Sequence, residues 1–177
     1  MSTHRRQVLA GAFGLAGAAL LGGTARAAAM GPRTLSVLNL HTGERLKATY
    51  FEGGAYVSDA LAAVNHVLRD FRTGEVHPIA PGLLDLVTTL QGRLESDQTV
   101  HVISGYRSPH TNEMLHERSN GVASHSLHMV GEAMDIRIPG VQLAHLRDAA
   151  LGLQRGGVGY YPASDFVHVD VGRVRRW

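Results

Sequence analysis

The sequence of 177 residues contains no cysteine. Disulfides, thiolate metal sites, iron–sulfur clusters, a cysteine nucleophile and a lipid-modified cysteine are therefore excluded. Internal repeats, low-complexity linkers and blocks of like charge are also missing, and the chain is 44% hydrophobic and 18% charged. This composition excludes a disordered chain, a coiled coil and a collagen. The length suits one domain with a hydrophobic core of its own.

Acidic side chains are missing from the N-terminal segment. Arg5 and Arg6 precede an uncharged run, residues 8–21, that is rich in Ala, Gly and Leu, and Ala25 and Ala27 have the spacing that signal peptidase accepts. This layout is typical of a secretory signal, and the paired arginines resemble a twin-arginine export signal. The alternative is an uncleaved membrane anchor, which is disfavoured because the uncharged run is shorter than the ~20 residues that span a bilayer.

We therefore predict a signal over residues 1–27 and export to the periplasm or cell envelope, with no stable membrane insertion after cleavage. Removing the signal takes away three arginines and no acid, so the formal charge changes from +2 to −1. The remaining chain has no basic run and no RNA-binding aromatic motif. This argues against nucleic acid as a partner.

Hydrophobic periodicity predicts the main elements of the mature chain. A first helix is expected over residues 58–72, with Ser58 as its cap, and a second begins at Pro81 and has an apolar stripe that reaches Leu94. Two further helices are expected over residues 111–118 and 141–154. Strands are expected over residues 34–40, 45–51, 99–104, 133–138, 158–161 and 166–171, the first two as a hairpin. Because helices gather early and strands late, we expect a single α+β domain with a small antiparallel sheet.

Two segments in the last part of the chain combine imidazole and carboxylate groups. His128 and Asp135 are separated by Gly131, which lets the chain turn so that Asp135 falls on the following strand. There Asp135 faces a cleft while its apolar neighbours face the core, and His168 and Asp170 share one face of another strand. Two imidazoles and one carboxylate make a three-ligand zinc site with the fourth position open.

Three ordered blocks resemble the M15 zinc peptidases, in particular their peptidoglycan endopeptidase-like branch, which is related to D-Ala-D-Ala metallopeptidases. They are S-G-Y-R-S at residues 104–108, S-x-H-x-x-G-x-A-x-D at residues 126–135, and G-V-G-Y-Y with F-V-H-V-D-V-G at residues 157–172. The resemblance covers residues 33–177, and three blocks in order are more specific than any one alone. It implies a fold of the hedgehog/DD-peptidase type and a zinc peptidase that acts on peptidoglycan stem peptides or cross-links.

The resemblance also implies the roles of individual residues. The three zinc-ligand positions, for one zinc ion per chain, fall on His128, Asp135 and His168. Arg107 falls on an arginine that binds or polarises the substrate carbonyl. Ser126 and Tyr160 are expected near the substrate, and Tyr161 is expected to line the cleft together with Tyr160. The alternative for Arg107 is a structural ion pair with Glu113 or with Asp135.

The general base has two candidates. Many relatives carry Glu three residues before the last histidine ligand, and Asp165 occupies that position here, one methylene shorter. Asp170 follows His168 on the same strand face and is favoured for the role, with Asp165 second. The alternative for Asp170 is a hydrogen-bonded partner of a ligand histidine. The base takes a proton from water and delivers it to the leaving amine, while zinc and Arg107 stabilise the oxyanion.

We therefore expect a monomeric, exported murein endopeptidase rather than a carboxypeptidase. The alternative is a catalytically inactive zinc-binding recognition module of the cell envelope, because one fold serves several functions. Carboxylates at both candidate base positions favour the enzyme. A serine hydrolase is disfavoured because the chain has no G-x-S-x-G elbow. The sequence leaves open whether the bond cleaved is an L,D or a D,D linkage.

Overall fold

The computed structural model describes residues 31–118 and 122–177 of the chain. The signal predicted over residues 1–27 lies outside the described residues. Within the described part, no helix has the length and apolar character needed to cross a membrane.

Eight strands form one continuous sheet: β1 (Arg33–Asn39), β2 (Arg45–Glu52), β3 (Ala55–Tyr56), β4 (Val100–Ser104), β5 (Ala133–Arg137), β6 (Gly157–Tyr161), β7 (Phe166–Asp170) and β8 (Arg175–Arg176). Their order is β3-β2-β1-β4-β5-β7-β6-β8. Neighbours are antiparallel except β1 beside β4 and β6 beside β8, which are parallel. The sheet is thus larger than expected and mixed. The two-residue strands β3 and β8 are too short to show an alternating pattern in the sequence. The pairing of β1 with β4 joins segments separated by two helices, and local sequence patterns do not reveal such a pairing.

Four α-helices lie in the described residues: α1 (Ser58–Val67), α2 (Pro81–Arg93), α3 (Pro109–Arg118) and α4 (Leu143–Leu153). All four are predicted by the sequence, but α1 ends well before residue 72. Its cap position is held by Val57 without a side-chain hydrogen bond, and Ser58 is the first helical residue. Beyond α1 the chain turns around Asp70, whose side chain accepts hydrogen bonds from the backbone N–H groups of Arg72 and Ser108.

Helices α1, α2 and α4 pack on the apolar face of the sheet. The core brings helix residues such as Leu83, Val87 and Leu146 together with strand residues that alternate along β5 and β7, namely Met134, Ile136, Val167 and Val169. Each fully buried apolar side chain contributes about 1.5–3 kcal/mol, so this face fixes the strand register. The intervening residues of β5 and β7 point to the opposite face, as predicted. The described residues form a single α+β domain.

Candidate metal centre

Asp135 and His168 come together because β5 and β7 are neighbours in the sheet. The two residues lie directly opposite each other in the antiparallel register. Their side chains point away from the helix-covered face, and the distance from Oδ1 of Asp135 to Nδ1 of His168 is 2.9 Å. The core register of the two strands therefore positions two of the three predicted ligands.

The third predicted ligand, His128, lies on a short 3-10 helix, Leu127–Val130, that precedes β5. Ser126 caps this turn, and its Oγ accepts a hydrogen bond from the backbone N–H of His128 at 3.4 Å. Gly131 ends it in the left-handed region, with a φ of 68°, where a Cβ would also run into the backbone of Pro78. A glycine is therefore required at this position, as expected from the sequence.

The three ligand atoms converge at one point. Nε2 of His128 lies 3.2 Å from Oδ1 of Asp135 and 3.2 Å from Nδ1 of His168. The other nitrogen of His128, Nδ1, is 2.7 Å from the carbonyl oxygen of Gly105, which can only accept, so the proton sits there and Nε2 keeps its lone pair. All three side chains are buried. Two imidazole nitrogens and a carboxylate oxygen without sulfur are a donor set that fits Zn²⁺.

The charges of the centre reinforce one another. Burial alone would raise the pKa of Asp135, but the adjacent His128 and His168 lower that pKa well below its usual range. Burial would lower the pKa of His168, and its hydrogen bonds to Asp135 and Asp170 raise it overall. Asp135 is therefore an ionised oxygen donor at neutral pH.

Arg107 borders the triad. Its Nη2 lies 3.8 Å from Oδ2 of Asp135, and its Nη1 donates to Oδ1 of Asn112 at 3.3 Å. Burial lowers the pKa of Arg107, although its guanidinium remains charged. Among the described residues, none accepts a hydrogen bond from its Nε. Of the two alternatives for an ion pair, the structure places Arg107 beside Asp135.

Asp170 lies on the far side of His168 from the other two ligands. Its Oδ2 is 3.0 Å from Nε2 of His168, whereas Nδ1 is the nitrogen that faces Asp135. Its side chain has no exposed surface, and it forms an ion pair with Arg175. This is the geometry of a partner of a ligand histidine, the alternative named for Asp170 above.

Asp165, the other candidate base, follows the short 3-10 helix Pro162–Ser164. Its side chain is 62% exposed and pairs with Arg137 of β5. The residues on either side of it, Ser164 and Phe166, both line the cavity beside the triad. Asp165 itself does not line the cavity, because its carboxylate is turned towards Arg137.

The cavity beside the triad has a volume of about 480 Å³. Arg107 and Ser126 line it, as expected from the sequence. Tyr160 does not: it packs against the core, with its ring 4.6 Å from the guanidinium of Arg147. Successive residues of a strand face opposite sides, so of the two tyrosines only Tyr161 lines the cavity.

An aromatic wall, formed by Tyr161, Phe166 and Trp177, closes one side of the cavity. The rings of Tyr161 and Phe166 stack at 4.6 Å, and Nε1 of Trp177 donates to the hydroxyl of Tyr161 at 2.7 Å. Gly159 leaves room for the indole, because a Cβ there would lie 2.7 Å from it. Sequence reasoning missed the place of Trp177, which only the final residues of the family resemblance could have signalled.

Comparison with known proteins agrees with this geometry. A family model described as peptidoglycan L,D-endopeptidase MepK, of the M15 peptidases, matches residues 27–177. The chain is 50% identical over 146 residues to the protein named peptidoglycan L,D-endopeptidase MepK of Escherichia coli strain K12, which covers 82% of this chain and 80% of that protein. It is 42% identical over 147 residues to the probable peptidoglycan L,D-endopeptidase MepK of Haemophilus influenzae, covering 82% and 79%. The chain therefore belongs to the M15 peptidase family, in its peptidoglycan L,D-endopeptidase branch.

Proposed function

We propose that this protein is an exported, zinc-dependent endopeptidase that hydrolyses L,D-linked peptide bonds in peptidoglycan. The observation on which the proposal rests is the convergence of His128, Asp135 and His168 beside an open cavity. The relatives of the chain are named peptidoglycan L,D-endopeptidases. Bond stereochemistry, which the sequence left open, is taken from those relatives. The protein is inferred to act as a monomer, since one chain supplies all three proposed ligands and Arg107.

The metal is proposed to be one zinc ion held by Nε2 of His128, Oδ1 of Asp135 and Nδ1 of His168. When bound, zinc supplies a Lewis acid that activates water at neutral pH and polarises a carbonyl group. A set of three protein ligands is the number found in catalytic rather than structural zinc sites. The three ligand residues line the cavity, so a water molecule and the substrate can reach a metal held there.

Arg107 is proposed to bind the carbonyl oxygen of the scissile bond. Its guanidinium is held beside the triad by Asp135 and Asn112, so little reorganisation is needed when negative charge develops on that oxygen. Ser126 contributes by fixing the turn that carries His128. The aromatic wall provides apolar surface for the remainder of the peptide.

Asp165 is proposed as the general base, in place of Asp170. The carboxylate of Asp170 is enclosed and faces the edge of His168 that points away from the triad. Asp165 is accessible and flanked by cavity residues, and release from Arg137 would free its carboxylate to take a proton from water and pass it to the leaving amine.

Three further features belong to the proposal. The fold is inferred to be of the hedgehog/DD-peptidase type, with the ligands on a turn and two antiparallel strands. Residues 1–27 are inferred to be a twin-arginine-like export signal from their paired arginines, their uncharged run and the small residues Ala25 and Ala27. Export would deliver the domain over residues 33–177 to the periplasm or cell envelope, where its substrate lies.

The test is digestion of defined cross-linked peptides by the purified protein. Two substrates differ only in the scissile bond, which joins an L centre to a D centre in one and two D centres in the other. We expect mass spectrometry to find fragments of the L,D substrate alone, with activity lost on chelation and restored by Zn²⁺. Cleavage of the D,D substrate alone would contradict the proposed specificity. No cleavage of either by zinc-loaded protein would instead support a recognition module.

A further inference from the structure

Asp170 is enclosed by hydrogen-bond donors. Its Oδ1 accepts from the backbone N–H groups of Gly157 and Gly172, both at 2.9 Å, and from Nη1 of Arg175 at 3.0 Å. Its Oδ2 accepts from Nη2 of Arg175 at 2.7 Å and lies 3.0 Å from Nε2 of His168. Apart from the imidazole, every group that contacts this carboxylate can only donate.

This arrangement determines which nitrogen of His168 carries the proton. A carboxylate held by a guanidinium and two amides remains an acceptor, so Nε2 of His168 has to donate to it. An imidazole that binds a metal is neutral and has one N–H group, so in that form Nδ1 keeps its lone pair. Nδ1 is the atom that faces Asp135 and His128. The hydrogen bond from Nε2 to Asp170 thus leaves Nδ1 of His168 as the nitrogen that can bind a metal.

We propose that Arg175 is a positioning residue of the metal centre, which fixes Asp170 so that His168 presents Nδ1 to the metal. The proposal rests on the metal site of the proposed function and not on its substrate. Hydrogen-bonded partners of ligand histidines orient the ring and increase metal affinity by 10–100-fold. Arg175 extends that arrangement by one further residue.

The chain keeps space for this pair. A Cβ at Gly157 would run into both Nη1 of Arg175 and Oδ2 of Asp170, and a Cβ at Gly172 would lie 3.1 Å from Oδ1 of Asp170. The parallel pairing of β8 with β6 places Arg175 opposite Gly157. An ordinary surface ion pair needs no such clearance, whereas here two glycines and an edge strand accommodate it. The pair is therefore part of the construction of the site.

The test compares three variants of the full chain by competition for zinc with a chromophoric chelator. Arg175→Met removes the charge and both hydrogen bonds, and we expect zinc affinity to fall 10–100-fold. Arg175→Lys can donate to one oxygen of Asp170 and should recover part of that loss. Arg176→Met is the matched control, since Arg176 is the exposed neighbour on β8, and its affinity should equal that of the wild type. Thermal unfolding of the zinc-free variants shows whether a loss of zinc affinity is caused by unfolding of the protein.

A second readout is one that a purely structural role would not change. Long-range ¹H–¹⁵N correlations of the zinc-loaded wild type should show His168 with its proton on Nε2 and zinc on Nδ1. The Nε2 proton should exchange faster in Arg175→Met, because the carboxylate that accepts it is no longer fixed. Should Arg175→Met leave the protein unfolded, the nitrogen assignment in the wild type still tests the inference.

Two results would overturn the inference while leaving the proposed function intact: zinc bound through Nε2 of His168, or an Arg175→Met affinity equal to that of Arg176→Met in folded protein. A wild-type protein that binds no zinc would instead overturn the metal centre itself, and with it the proposed function. The two failures are therefore distinguishable.

Discussion

Oδ1 of Asp135 lies between two histidines, 2.9 Å from Nδ1 of His168 and 3.2 Å from Nε2 of His128. The two imidazoles therefore offer different nitrogens to the same point. Each is held by its other nitrogen, His128 through the carbonyl of Gly105 and His168 through Asp170. The centre is thus oriented before any metal binds, because the orienting groups are backbone and buried carboxylate rather than the ion.

Replacing His128 should abolish metal binding and peptidase activity while the fold is kept. His128→Ala removes a ligand atom, so zinc affinity should fall by more than the about 100-fold that loss of a supporting hydrogen bond costs. The carbonyl of Gly105 loses its donor, which should lower the free energy of unfolding by about 1–3 kcal/mol. Zinc content, peptide cleavage and circular dichroism check these outcomes. His145→Ala, on the exposed side of α4, is the control; hydrolysis by metal-free His128→Ala protein would refute the site.

The two aspartates should separate turnover from metal affinity. Asp165→Asn removes the proposed base, so kcat should fall by about 10²–10⁴-fold with zinc affinity unchanged. In Asp170→Asn the NH2 group of the new side chain has to point at one of the donors that surround the carboxylate in the wild type. This disturbs the hydrogen bond to His168, so zinc affinity should fall by about 10–100-fold. The substitutions are isosteric and serve as controls for each other. If Asp170→Asn keeps zinc and loses turnover while Asp165→Asn stays active, Asp170 is the base after all.

The convergence of the three proposed ligands could be predicted because it follows from local patterns. Strict alternation of apolar and polar residues along β5 and β7 separates Met134 and Val167, in the core, from Asp135 and His168, in the site. The same alternation misled at Tyr160, because the doublet with Tyr161 leaves the facing side undetermined until the pairing of β6 is known. A pattern of period two gives two faces but does not say which is which.

The surroundings of the ligands could not be predicted because they depend on pairing between distant segments. Arg175 reaches Asp170 only because a two-residue strand adds to the edge of the sheet beside Gly157. Arg137 meets Asp165 across β5 and β7, 28 residues apart. Hydrophobic periodicity predicts neither contact, because each is made by single charged side chains. The order of the strands in the sheet determines which charged side chains meet. These contacts are the reason for proposing Asp165 ahead of Asp170 as the base.

Trp177 should contribute to substrate binding rather than to turnover. Its indole is half exposed in the aromatic wall, and removing it in Trp177→Ala should weaken substrate binding by about 1 kcal/mol, a rise of roughly fivefold in KM with little change in kcat. Trp177→Phe keeps most of the apolar surface and is the matched control. Gly159→Ala should mimic the loss, because its Cβ would displace the indole. Steady-state kinetics decide: an unchanged KM in both Trp177→Ala and Gly159→Ala would show that the wall does not contact the substrate.

Acid should destabilise the protein through Asp70, which holds Ser108 just before helix α3. Burial would raise the pKa of this carboxyl, but hydrogen bonds from the hydroxyl and backbone N–H of Ser108 and from the backbone of Arg72 outweigh burial and lower the pKa to about 2. The folded pKa is below the unfolded value of 3.8, so the stabilisation is complete above pH ~4 and is lost as the pH falls from about 4 to about 2.

The shift corresponds to about 2 kcal/mol of unfolding free energy at neutral pH. Asp70→Asn should remove a contribution of this size at pH 7, and its stability should fall less steeply than that of the wild type as the pH drops from about 4 to about 2. Urea denaturation of the zinc-free protein at several pH values measures this, with exposed Asp59→Asn on α1 as the control. Asp70 holds Ser108, which directly follows Arg107 and precedes helix α3. Equal stability of Asp70→Asn and wild type at pH 7 would show that this contact does not stabilise the segment that contains Arg107.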